Sequence, residues 1–186
     1  MFEKSESVYH GRIPSNLPAM DKVIGLTYTY PRVVHQLTSK VELTSFAKKP
    51  ASIVTLGLWD TGASTSMITA AAADQLGLQV KGRTKIRSVR NSSRVNVYEL
   101  VLTLGKGEEN VSFPLIVTEC GALDDDGSIG FLIGMDVISM GDFSLSNHGG
   151  KTTLSFRVPS MGGEDYAKEP KGAIPVLSAP ESQGYL

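Results

Sequence analysis

The apolar run Ile53-Val54-Thr55-Leu56-Gly57-Leu58 passes through Trp59 straight into Asp60-Thr61-Gly62-Ala63-Ser64, and this junction constrains the chain more than any other feature. A run rich in β-branched residues reads as a strand. Ending it on an aspartate puts a carboxylate at the edge of a core, where loss of water disfavours its charge. Acid chemistry is one reason to build such a junction. A plainer one is a turn whose carboxylate caps backbone N–H groups. Asp-Thr-Gly occurs once in the 186 residues.

At 41% hydrophobic and 20% charged, the composition is that of a folding globular chain. A formal net charge of −1 gives no global reason to expect nucleic acid or an anionic membrane as partner. Cys120 is the only cysteine, so no intrachain disulfide can form and a reducing compartment fits. With only His10, His35 and His148 beside it, no Cys/His zinc site is expected. Met1 to Tyr9 lacks the apolar run of a secretory signal, and no segment approaches the ~20 apolar residues of a spanning helix. The expected location is therefore cytoplasmic, with the sequons at Asn91 and Asn110 unused.

Residues 1–39 hold Pro, Ser and aromatics without a clean period and read as an irregular lead-in. Val41 to Phe46 and Ile53 to Trp59 read as strands on either side of Lys48-Lys49-Pro50. Ile68 to Leu76, with its four alanines, reads as a short helix stopped by Gly77. Thr84 to Val89 and Val95 to Leu104 then flank a hairpin tip at Arg90-Asn91-Ser92-Ser93. Val111 to Thr118 alternates, and Asp124-Asp125-Asp126-Gly127 is a loop before the apolar Phe131-Leu132-Ile133. Met135 to Met140 is a short segment, and Phe143 to Leu145 with Thr152 to Phe156 forms a last hairpin. Residues 159–186 are rich in Pro, Gly, Ser and charge and read as a mobile tail. Mostly short strands with one or two helices imply a small all-β, barrel-like domain over residues 40–158.

Leu58-Trp59-Asp60-Thr61-Gly62-Ala63-Ser64, followed about 70 residues later by Phe131-Leu132-Ile133-Gly134-Met135-Asp136, resembles the retropepsin-like aspartic proteases, nearest to their bacterial and ubiquitin-linked members. The first segment is similar to the catalytic strand and loop, the second to the apolar-apolar-Gly strand that threads beside that loop. The resemblance implies a small closed β-barrel and an aspartic endopeptidase active as a homodimer on peptide or protein substrates, without metal or organic cofactor.

Two carboxylates a few ångströms apart cannot both ionise, so one acts as base toward water and the other as acid toward the carbonyl, and they titrate as a unit. One Asp-Thr-Gly per chain implies that Asp60 of a second copy completes the pair across a two-fold axis. By resemblance Thr61 hydrogen-bonds across to the opposing loop, and Gly62 permits close backbone approach. Ala63 stands where pepsin-like relatives more often carry a carboxylate-supporting hydroxyl, which implies activity at mildly acidic to neutral pH. Leu132 and Ile133 are implied to line subsites, with Arg90 and Asn91 reaching substrate from the flap tip. The same residues leave open a catalytically silent module of this fold that binds peptides or self-associates.

Departures are visible too. The flap tip lacks the family's glycines, Trp59 is bulkier than the usual aliphatic residue, and Met135-Asp136 replaces the Arg-Asn that follows the second-motif glycine in retroviral members. The basic stretch Lys81, Arg83, Lys85, Arg87, Arg90 and Arg94 reads first as a solvated hairpin with charged edges, and otherwise as a guide for acidic peptides. Asp124 to Asp126 reads as a polar loop or a selector for basic side chains, and Cys120 as an inert buried thiol.

Overall fold

In a computed structural model, residues 22–87 and 92–163 are described. Ten strands and two short helices follow in order: β1 (Ile24–Tyr30), β2 (Thr38–Ser45), β3 (Ser52–Trp59), β4 (Met67–Thr69), α1 (Ala70–Gln75), β5 (Gly82–Arg87), β6 (Ser92–Lys106), β7 (Glu109–Cys120), β8 (Ile129–Ile133), α2 (Met135–Ile138), β9 (Asp142–His148) and β10 (Lys151–Val158). The expected all-β class holds.

The large sheet runs β2-β3-β8-β4-β7-β6-β5, and β2 also pairs with β6. That pairing closes a barrel of six strands and leaves β5 outside it. The length of β6 makes closure possible. Its first half, Ser92 to Val97, pairs with β5, while Leu100 to Thr103 pairs with β2. Both partners use one edge, since β7 occupies the other. All five residues of β8 are buried, as its unbroken apolar run requires of a strand covered on both faces. Side chains such as Leu43, Leu100, Leu102, Phe113 and Phe131 fill the barrel.

Helix α1 begins later than the alanine-rich run suggests, because Ile68 and Thr69 belong to β4. The Thr69 hydroxyl accepts from the Ala72 N–H at 3.3 Å and caps the helix, and Gly77 ends it at φ +62°.

A second sheet, β1-β10-β9, packs against the barrel. Its first strand corrects the reading of residues 1–39 as irregular, since Ile24 to Tyr30 pairs with β10 throughout and buries Ile24 and Leu26. Trp59 joins the two layers. Its ring lies 5.7 Å from Phe143 and 5.3 Å from Phe156, and its indole N–H donates to the buried Ser39 hydroxyl at 3.0 Å. The bulk that sets Trp59 apart in sequence thus fastens β3 to this sheet.

Asp142, opening β9, gathers the chain beyond β10. It accepts from the Ser160 hydroxyl, from the Met161 N–H at 2.8 Å and from Arg157 at 2.6 and 2.9 Å. The Ser160 hydroxyl, the Met161 N–H and the Arg157 guanidinium together hold its carboxyl at a pKa of about 2. A depressed carboxylate stabilises the fold above its unfolded value of roughly 3.9, and that contribution fades as pH falls toward 2. In urea unfolding from pH 2 to 6, the stability gap between wild type and Asp142→Asn is expected to be constant above about pH 4 and to shrink below it. A gap independent of pH would mean that the carboxylate charge does not hold this junction. The tail beyond residue 163 lies outside the described residues.

Candidate active site

Strand β3 ends at Asp60, and β8 fixes its position. The Asp60 N–H donates to the Ile133 carbonyl at 3.0 Å, continuing the parallel pairing that sets Trp59 against Ile133. The chain then turns sharply. The Gly62 N–H donates to Asp60 Oδ1 at 2.8 Å, and the Ala63 N–H to the Asp60 carbonyl at 3.3 Å. The carboxylate is half-exposed, while Thr61 and Gly62 stand exposed at the loop tip. Among the described residues the Gly62 N–H is the one donor to the carboxylate. Capping, the plainer reading of this aspartate, is therefore present, but it occupies one oxygen of a group that faces outward.

The second motif clamps the loop from behind. The Met135 N–H donates to the Ala63 carbonyl at 2.8 Å. Asp136 accepts from the Ser66 N–H at 2.8 Å and the Ser66 hydroxyl at 2.7 Å, and the same hydroxyl accepts from the Gly134 N–H at 3.0 Å. Ser66 is fully buried, so both of its polar groups are satisfied inside the clamp. Sequence reasoning missed this pair. It registered Asp136 as a departure from the retroviral pattern, whereas the side chain supplies a tether of its own between the two motifs. The available signal was a hydroxyl residue at the end of the loop and an acid two positions after the second-motif glycine.

Thr61, Gly62, Ser64 and Thr65 face Met135 and Asp136 across a shallow cleft of about 420 Å³. A larger cleft of about 940 Å³ lies between residues 32–38 and the 124–129 loop, lined by Arg32, His35, Gln36, Asp124, Asp125 and Ile129 among others. Both signs of charge line it. Asp124 accepts from the Ser128 hydroxyl at 2.6 Å and the Ile129 N–H at 3.0 Å, and Asp126 from the Ser128 N–H at 3.0 Å. Two of the three acids thus build the turn itself, in line with the polar-loop reading.

Ile133 is a correction. It has no exposed surface, and its Cδ1 packs against Gly57 in the barrel, so it cannot line a subsite from there. Alternation along β8 turns Leu132 to the other face, where it is 7% exposed beside Leu58 and Met67. Arg90 and Asn91 lie outside the described residues. The neighbouring Ser92 and Ser93 are not a hairpin tip, since they pair with Arg87 and Ile86 in the β5–β6 ladder.

The basic stretch is partly neutralised. Lys81 pairs with Glu99 at 3.0 Å, and Arg83 donates to Asn96 at 3.2 Å. The Tyr98 hydroxyl and, after it, the Asn96 amide donate to Glu119, which lowers the pKa of that acid. Burial, with a smaller effect from the Glu119 charge, pushes the Cys120 thiol up to about 11. A thiol so shifted is protonated at neutral pH, in line with the inert-thiol reading. No group of three or more potential metal ligands occurs among the described residues. No helix among them is long and apolar enough to cross a membrane.

Comparison with known proteins bears on this geometry. Residues 54–137 match the sequence profile of the family described as Aspartyl protease, a span that takes in β3, Asp60 and the second motif. No curated protein matches the chain. Among solved structures, a retropepsin-like aspartic protease from Rickettsia conorii is similar at 16% identity and a TM-score of 0.48, over 74% of this chain and 96% of that one. EIAV protease, complexed with the inhibitor HBY-793, is similar at 22% identity and 0.34, over 56% and 86%. The retroviral protease-like domain of Ddi1 from Leishmania major is similar at 18% identity and 0.34, over 54% and 74%. With its Asp-Thr-Gly loop held by a Leu-Ile-Gly strand in a closed β-barrel, the chain resembles the retropepsin-like aspartic proteases, and its residues 54–137 match the aspartyl protease family.

Proposed function

We propose that this protein is an aspartic endopeptidase whose active site forms between two copies of the chain. One observation carries the reading: a single Asp60 carboxylate, held by the Gly62 N–H, faces outward on a loop that is tied to the second motif from behind. A lone carboxylate can remove or deliver a proton, but peptide hydrolysis needs both acts at one carbonyl. Two Asp60 groups sharing one proton supply both. The ionised one takes a proton from water as it attacks. The protonated one gives its proton to the carbonyl oxygen, and the pair reverses roles as the amine leaves.

Exposure of Thr61 and Gly62 supports mating of two such loops, with Thr61 bonding across. An extended peptide then lies over the paired loops. Leu132, Arg90 and Asn91 contribute to its recognition. Ala63 offers no hydroxyl to steady a lone charge, which favours turnover at mildly acidic to neutral pH. The proton transfers run between carboxylates, water and substrate, so no cofactor is needed.

Incubation of the purified protein with a complex peptide library between pH 4 and 7 tests the reading. New peptide ends are expected, and their sequences report the subsites. A sample shown to be dimeric that yields no new ends would move the assignment to a peptide-binding or self-association module.

A further inference from the structure

We propose that the Thr118 hydroxyl is a specificity-determining group on the path of the peptide, selecting substrates with an uncharged hydrogen-bonding side chain, a carboxamide or a hydroxyl, within about four residues of the bond that is cut. The inference rests on the aspartic-protease reading above and names the class of peptide which that site takes.

Two side-chain oxygens are buried without a hydrogen-bond partner among the described residues, Thr118 Oγ1 and Asp124 Oδ1. They differ in kind. The other oxygen of Asp124 accepts from the Ser128 hydroxyl and the Ile129 N–H, so that side chain is anchored in its own turn. Thr118 has one polar side-chain atom, and it is unbonded. A buried hydroxyl left in this state costs stability, and native folds keep few of them. Valine has nearly the same shape and would remove the cost. Threonine here therefore needs a reason beyond packing.

The register of the large sheet supplies one. Val117 is fully buried in the barrel, so Thr118, the next residue of β7, turns to the opposite face. There it lies level with Val97 of β6 on one side and Met67 of β4 on the other. Met67 lies level with Leu132 of β8, and Leu132 with Leu58 of β3. One row thus crosses β6, β7, β4, β8 and β3 on the face that carries Leu132, and ends two residues before Asp60. Three strand steps separate Leu58 from Thr118, about 14 Å, the span of roughly four residues of extended peptide.

The surroundings decide which side chain fits. Val97, Met67, Leu132 and Leu58 bring no charge and no oxygen to the row. The acids on β6 and β7 nearby are engaged: Glu99 pairs with Lys81, and Glu119, turned to the barrel side, accepts from Tyr98 and Asn96. A charged side chain entering the row would lose its water and meet no counter-ion. An apolar one would leave the hydroxyl as it stands. A carboxamide or a hydroxyl can give or accept the bond that Thr118 lacks. Met67 is only partly buried, and its unbranched side chain can turn aside to let the incoming group reach the hydroxyl.

Cleavage of a randomised synthetic peptide library by wild type, Thr118→Val and Thr118→Ser is the test. Wild type is expected to favour Asn, Gln, Ser or Thr over Val and Leu at least tenfold at one position near the cut. Thr118→Val is expected to abolish that preference, with a urea midpoint unchanged or higher. Thr118→Ser keeps the hydroxyl and is expected to keep the preference. A wild-type profile with no polar position overturns the inference and needs no variant to do so. A preference that survives in Thr118→Val overturns it too, as does one lost equally in Thr118→Ser, since the methyl rather than the hydroxyl then matters. Each of these results leaves the protease reading standing. Retention of the same library by Asp60→Asn protein, with and without Thr118→Val, separates the two readings. Retention of polar peptides that depends on Thr118, beside a wild type that cleaves nothing, would keep this inference and remove the protease. Neither cleavage nor retention would overturn both.

Discussion

Asp60→Asn is expected to reduce peptide cleavage by about 10³-fold or more while leaving the fold and the dimer in place. The two halves of this expectation have separate causes. An amide matches the carboxyl in shape, and its oxygen can still accept from the Gly62 N–H, now 2.8 Å from Oδ1. The loop therefore keeps its turn. What disappears is the ability to exchange a proton at the pH of the reaction, and a shared dyad loses it on both sides at once. Asp60→Ala separates the effects, because it removes the acceptor as well. Its loop bond is worth about 1 kcal/mol, so Ala should lower stability slightly where Asn does not. Cleavage rates and urea midpoints for the three proteins check this. Residual cleavage within tenfold of wild type in the Asn variant would remove Asp60 from the chemistry.

The barrel was legible because its signals are local. The run from Ile53 to Trp59, the alternation of Val111 to Thr118 and the glycine after α1 each announce an element within a few residues. The lead-in was misread even though Ile24-Gly-Leu-Thr-Tyr-Thr-Tyr30 alternates cleanly. Its small and hydroxylated partners weaken the hydrophobic contrast, and its pairing strand lies more than 120 residues away. Closure of the barrel was equally out of reach. Nothing in β6 marks the point where one edge passes from β5 to β2.

The site divides along the same line. Asp60-Thr61-Gly62 is contiguous and announced itself. The clamp through Ser66 and Asp136 joins residues 70 positions apart, and either one alone looks like an ordinary surface polar residue. Ile133 shows the opposite error. Motif spacing identifies the strand, but only strand alternation in three dimensions decides which of two adjacent apolar residues faces the core. A reading by motif assigns both to substrate; packing withdraws one.

Gly134→Ala is expected to be among the most damaging one-carbon changes in the chain, lowering stability by about 3 kcal/mol and the melting temperature by about 6–12 °C. Conformation is not the reason, since Gly134 has φ −91°, open to any residue. Space is. An added Cβ would lie 2.6 Å from the Thr65 carbonyl carbon, 2.8 Å from its oxygen and 2.9 Å from the Ser66 nitrogen. All three are backbone atoms, so no side chain can swing aside. Relief requires the Asp60 loop and α2 to part, which strains the Met135 bond to Ala63 and the Ser66–Asp136 pair together. Cleavage should therefore fall even in the fraction that remains folded. Gly82→Ala is the matched control, because a Cβ there meets nothing within 4 Å in an edge strand. It should be neutral or slightly stabilising, through reduced freedom of the unfolded chain. Thermal melts of both variants beside wild type decide the matter: equal losses at Gly134 and Gly82 would mean that contact between the two motifs is not what makes glycine necessary at this position.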